Sequence, residues 1–140
     1  RVGYEALSFE EAIDQEEERL RPEVRRMQID RAYRSKVHQA LSYVSRGIYV
    51  DQLKRWRTHF PAEQMLVLRS EDFLVDPGET YRLVLAFLGL PALDLGTYRV
   101  YNQTACAEMK PETRSRLVGY FGPHNQRLYA YLGRDLDWDW

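Results

Sequence analysis

The chain of 140 residues holds a single cysteine, Cys106, so no disulfide can close within it. Its three histidines, His38, His59 and His124, are scattered and give no zinc-ligand spacing. No stretch approaches 18 apolar residues, which argues against a membrane-spanning helix. The opening RVGYEALSFEEAIDQEEERL lacks a basic head followed by an apolar run, so it does not read as a signal peptide. Cysteine scarcity is compatible with a reducing compartment without proving one, and the expected setting is the cytoplasm. The 20 Lys and Arg against 21 Asp and Glu leave a formal charge of -1, without the positive excess of a nucleic-acid module. There is no G-x-x-x-x-G-K-[ST], so the chain cannot cradle a phosphate on backbone amides ahead of a helix in that way.

What is abundant is aromatic: ten Tyr, three Trp and five Phe. Such side chains line ligand clefts, but they equally complete a core or an interface. The 44% hydrophobic and 29% charged content excludes a disordered tail, and the length supports one core rather than two ordinary domains.

Local signals place several helices. Ser8-Phe9-Glu10-Glu11 is a reciprocal capping box and starts the first. Residues 20–30, broken by Pro22, read as an irregular charged connection. Apolar residues at helical spacing predict a second helix over about Ile29 to Ser45, with Gly47 ending or bending it. A third covers about Ile48 to His59, with Trp56 expected in the core. Asp76-Pro77 is an N-cap followed by proline at the first helical position. Tyr81, Val84, Leu85 and Leu88 then form one inward stripe, closed by Gly89 and Pro91. Residues 91–110 read as a long loop, of the kind that tends to be functional or mobile. Pro111 and Pro123 each start a helix, Gly133 stops the last, and the tail folds back on the core.

Gln64–Arg69 is a continuous apolar run, expected to be a strand covered on both faces by helices. One strand makes no parallel sheet. Either this is an odd, mostly helical domain or, the better reading, an α/β fold whose remaining strands lie upstream, with residues 1–140 as the mostly helical C-terminal part of a single domain.

The segment from Gly47 to Pro77, GIYVDQLKRWRTHFPAEQMLVLRSEDFLVDP, resembles the C-terminal half of sulfotransferases that use 3'-phosphoadenosine 5'-phosphosulfate. The likeness is nearest to the bacterial enzymes and their heparan sulfate relatives. FLGLP (87–91), PETRSRL (111–117), FGPHNQRLY (121–129) and LGRDLDW (132–138) follow in that family's order, and LSFEEAI (7–13) also matches. The resemblance implies a P-loop-like α/β fold similar to nucleotide kinases. It also implies transfer of a sulfuryl group to a hydroxyl or amine without a metal. The donor loop and the catalytic base belong to a half absent here, so activity is expected of an intact parent and not of this chain alone. Arg31-Ala32-Tyr33-Arg34-Ser35 looks like the family's 3'-phosphate segment, but it lies downstream of residues 7–13 with no preceding strand.

The resemblance also carries candidate residues. Tyr101, Asn102 and Thr104 fall in the segment implied to lie against the adenine and phosphates of the donor, and Lys110 is a nearby cation. The heparan group's Gly-Lys-Gly-Arg clamp is replaced by Ala105-Cys106-Ala107-Glu108-Met109-Lys110. Tyr49 and Gln52 are implied to face the acceptor, a small molecule, lipid or glycan; glutamine can bind a hydroxyl but cannot act as a base. His59 reads as a helix-end residue, His124 as a capping or packing residue, and Glu71-Asp72 as support for the fold. The alternative is a noncatalytic interaction or scaffold domain derived from the same fold.

Overall fold

Helix α1 (Phe9–Ile29) starts on the capping box read from the sequence. The Ser8 Oγ accepts from the Glu11 amide at 3.3 Å, and the Glu11 carboxylate accepts from the Ser8 amide at 2.9 Å. The computed structural model describes residues 5–99, 101 and 108–138. Its helices are joined by loops, and it divides into two compact units.

The first unit comprises residues 1–52 and 108–140. Here α1 runs through Pro22, where the sequence predicted a break. Proline removes the amide that would meet the Glu18 carbonyl. Glu18 and Pro22 are both exposed, so water can take that carbonyl and the interruption is tolerated. Residues 29–45 do not form the single helix expected of them. The Asp30 carboxylate accepts from the Ala32 amide, and the Ser35 Oγ accepts from the His38 amide. These side chains compete for backbone bonds and confine the helix to α2 (Lys36–Leu41). A 3-10 turn at Ser45–Gly47 then leads into α3 (Tyr49–Arg57), whose first residues belong to this unit.

The C-terminal helix closes the unit. One helix, numbered α6 in chain order and spanning Pro111–Leu132, replaces the two expected, because it too continues through its internal Pro123. The carbonyl left over is that of Gly119, again exposed. Gly133 ends the helix at φ 68°, where a side chain would be strained. The tail does fold back. The Trp138 amide donates to the Tyr129 hydroxyl at 2.9 Å, and Leu136 is buried. Ala12, Ile13 and Leu20 of α1, Val50 of α3 and Leu128 and Tyr129 of α6 supply the other buried apolar groups. Each fully buried aliphatic residue contributes roughly 1.5–3 kcal/mol.

The second unit, residues 53–107, carries the rest of α3, a 3-10 turn at Ala62–Gln64, α4 (Ser70–Val75) and α5 (Pro77–Phe87). The Asp76 carboxylate caps α5 by accepting from the Glu79 amide at 2.8 Å. Leu85, 7% exposed, is its deepest apolar residue, while Leu88 stands outside the buried stripe. Trp56 is not in the core. It is 56% exposed, and its ring meets that of Phe60 at 5.5 Å.

The α/β expectation is overturned, because no strand occurs among the described residues. Gln64 closes the 3-10 turn, and residues 65–69 carry no strand ladder, although Met65 and Arg69 have extended backbones. Their burial still alternates, with Met65, Val67 and Arg69 half-buried but Leu66 and Leu68 40% and 37% exposed. A strand is defined by its hydrogen-bonded neighbour. An apolar run encodes the preference for extended backbone but not the neighbour, so the P-loop-like sheet is not part of this structure.

Candidate acceptor-side site

The turn ahead of α3 is fixed by a carboxylate from α1. Glu16 falls on the same helical face as Ala12, Ile13 and Leu20 and is just 6% exposed. It accepts from three consecutive backbone amides, those of Tyr43 at 2.9 Å, Val44 at 2.6 Å and Ser45 at 3.0 Å. Successive amides of this kind form a concave nest for an anion. Burial pushes the Glu16 carboxyl up, but donation by Ser45, Val44 and Tyr43 outweighs it and leaves the group below the ordinary value.

A second carboxylate braces the same turn. Arg19 reaches Glu5 at 2.9 Å, and the Tyr43 hydroxyl donates to Glu5 at 2.8 Å. The Arg19 hydrogen bond, with those of the Leu7 amide and Tyr43, holds Glu5 down at about 2. Tyr43 is pushed up in turn, by burial first and then by Glu5.

The far side of the turn is held by Arg46. Its Nε donates to the Ser42 Oγ at 3.0 Å and its Nη2 to the Gln39 carbonyl. Gln52 then ties α3 back, its Nε2 donating to the Arg46 carbonyl at 2.8 Å. With Nε2 engaged, the atom that Gln52 can offer a ligand is its Oε1, an acceptor that suits a hydroxyl or amine. Gly47 is packed hard here. A Cβ at this position would lie 2.6 Å from Cε1 of Phe121. Tyr49 is half-exposed, and its ring is tilted against that of Trp138 at 5.7 Å. Asp51 pairs with Arg127 at 2.5 Å, and Arg127 also approaches Nδ1 of His124 at 3.4 Å.

Tyr49 and Gln52 are thus brought together on one exposed helical start. Lys110 belongs to the same unit, as the exposed N-cap residue of α6, and its charge helps lower the Glu11 carboxyl after the two Ser8 hydrogen bonds. Tyr101, 73% exposed, belongs to the second unit. Asn102 and Thr104 lie outside the described residues. His59 is exposed beyond the end of α3. His124 packs against Tyr120 at 5.5 Å. Glu71 and Asp72 both face Arg69, at 4.0 and 3.5 Å. Ser35 is spent on capping α2, which accounts for its place in the Arg31–Ser35 segment without a phosphate.

Sequence reasoning missed Glu16, Glu5, Arg46 and Trp138. For Glu16 a signal existed: an acid on the inward stripe of an amphipathic helix must find donors when buried. For the others no local pattern marks the partner. Among the described residues no group of three His, Cys, Asp or Glu side chains is arranged to hold a metal, and no helix is long and apolar enough to cross a membrane.

Residues 10–133 match the family described as the sulfotransferase domain. The membrane-associated sulfotransferase kil1 of Dictyostelium discoideum is 31% identical over 101 residues, covering 72% of this chain and 21% of that protein. The heparan sulfate glucosamine 3-O-sulfotransferase 3B1 of Mus musculus is 30% identical over 122 residues, covering 70% of this chain and 31% of that protein. A solved sulfotransferase from Alicyclobacillus acidocaldarius superposes with a TM-score of 0.65 at 31% identity, over 94% of this chain and 45% of its own. The chain therefore spans less than half the length of these three relatives.

Proposed function

Because the chain belongs to the sulfotransferase domain family, we propose that its 140 residues act as a noncatalytic interaction and scaffold segment of that architecture. The observation that carries this reading is the helical organisation of the described residues, with no strand-loop-helix to present amides to a donor phosphate. What the segment offers instead is a braced turn displaying Tyr49 and Gln52.

A second reading is favoured by the identity with longer sulfotransferases across most of the chain. In it, a longer protein containing this segment uses 3'-phosphoadenosine 5'-phosphosulfate. An acceptor hydroxyl or amine attacks sulfur, the bond from sulfur to the phosphate oxygen breaks, and 3'-phosphoadenosine 5'-phosphate leaves. The acceptor proton passes to a base outside these residues. Tyr49 and Gln52 then contact a small-molecule, lipid or glycan acceptor, while Tyr101, Asn102, Thr104 and Lys110 approach the donor nucleotide. The other partner is the N-terminal half of the same domain. Neither metal nor nucleic acid enters this reading, and a cytoplasmic setting goes with it.

Calorimetric titration of a longer protein containing this segment with 3'-phosphoadenosine 5'-phosphate separates the two. The scaffold reading expects no saturable binding; micromolar binding would overturn it in favour of the second. In a longer form that does bind, Tyr101→Ala should weaken affinity and Tyr101→Phe should not, since a ring face rather than a hydroxyl stacks on adenine. Equal affinity in the alanine variant removes Tyr101 from the donor site.

A further inference from the structure

Along α1 the first unit carries a cleft of about 820 Å³, within the roughly 300–1,000 Å³ typical of organic-ligand sites. Ile13, Leu20 and Val24 of α1, Val44 and Leu117 give it an apolar lining, with the half-exposed ring of Tyr120 beside them. Neither Tyr49, Gln52 nor Lys110, the proposed contact residues within the same unit, lines it.

The charges around the cleft can be set against one another. Glu17 is paired with Arg21 at 3.2 Å, and Asp14 with Arg116 at 2.6 Å. The Glu16 carboxylate is absorbed by the amides of Tyr43, Val44 and Ser45. Arg25 has no ion pair or hydrogen bond among the described residues. His38 also lines the cleft, within electrostatic reach of Glu23. Every acid in the lining is thus engaged and one guanidinium is not. An apolar lining beside an uncompensated cation is complementary to a molecule with an apolar body and one negative head.

We propose that this cleft binds an amphipathic organic anion, its hydrocarbon or aromatic body on Leu20, Val24 and Leu117 and its carboxylate, sulfate or phosphate head on Arg25. This goes beyond the sulfotransferase reading and does not depend on it. Arginine suits the task because its planar fork meets an oxyanion with two parallel donors.

The test is calorimetry of the 140-residue chain with decanoate, alongside decyltrimethylammonium and decanol as probes of head-group charge. Saturable one-to-one binding of decanoate is expected, with decanol weaker and the cation weakest. Arg25→Gln should weaken decanoate about tenfold, the loss of one charge-assisted contact. Val24→Glu, at a position already partly exposed, should abolish binding while circular dichroism reports an unchanged helical content. No saturable binding of decanoate, equal affinity in Arg25→Gln, or equal affinity for decyltrimethylammonium would each overturn the proposal. Self-association of the chain that Val24→Glu abolishes, without decanoate binding, would give the cleft to a second copy and overturn it as well.

Discussion

Replacing Glu16 by glutamine keeps the side chain's shape but removes its charge and one acceptor oxygen, and so tests what the carboxylate does for the turn ahead of α3. The side chain accepts from three backbone amides at 2.6–3.0 Å. Hydrogen bonds to a charged group contribute about 1.5–3 kcal/mol each, against about 0.5–1.5 for neutral ones. The three share one carboxylate, two of them on the same oxygen, and do not add in full. Glutamine also turns an NH₂ toward amides that need an acceptor. A loss of about 2–3 kcal/mol is therefore expected for Glu16→Gln, and about 3–5 for Glu16→Ala, which leaves three donors to water. The assay is urea denaturation of each variant across pH. The folded carboxyl lies below its ordinary value of 4.5, so the unfolded chain binds more protons as pH falls through this range. The stabilisation is complete above the unfolded value and is lost as pH drops through the folded one. The gap between wild type and Glu16→Gln should thus be full at pH 7 and close in acid. Glu5, held down at about 2, is common to both proteins and cancels from the difference. A gap absent at pH 7, or one that persists unchanged below the folded titration, would refute the reasoning.

Leu85→Ala should cost about 2–5 kcal/mol by equilibrium denaturation, since the residue is 7% exposed and its removal leaves a cavity; an unchanged midpoint would take Leu85 out of the buried set. Gly47→Ala should cost about 1–3 kcal/mol, because the new Cβ would sit 2.6 Å from the Phe121 ring. That cost should shrink by at least half in a Phe121→Ala background, and equal costs in both backgrounds would exclude the clash as its origin.

The sequence was most legible where cause and effect lie within a single turn. The Ser8–Glu11 box, the Asp76 cap before Pro77 and the stop at Gly133 are each written in three or four residues, and each forms as read. Pro22 and Pro123 misled because a proline ends a helix only if the orphaned carbonyl cannot be solvated, and exposure is a tertiary property. Trp56 misled for a similar reason: helical spacing identifies an apolar side chain but not whether anything covers it. The run at 65–69 has alternating burial and exposure, yet a strand needs a full ladder to a second segment, and no strand forms among the described residues. Within the candidate site, Tyr49 and Gln52 were reached through family likeness. The Glu16 latch was not, because its donors lie 27, 28 and 29 residues away. The acid's place on the inward stripe was the readable half of that interaction.

The unbroken passage of α1 through Pro22 bears on the cleft in a further way. Glu17, Leu20 and Arg21 line it before the proline, and Val24, Arg25 and Gln28 after it. The helix is already short of one rung at that point, and bends concentrate where the backbone ladder is interrupted. Any bend of this wall is therefore least costly at Pro22, between the part bearing Leu20 and the part bearing Arg25. A change in the cleft's width would be taken up there, at one exposed residue, and not distributed through the core.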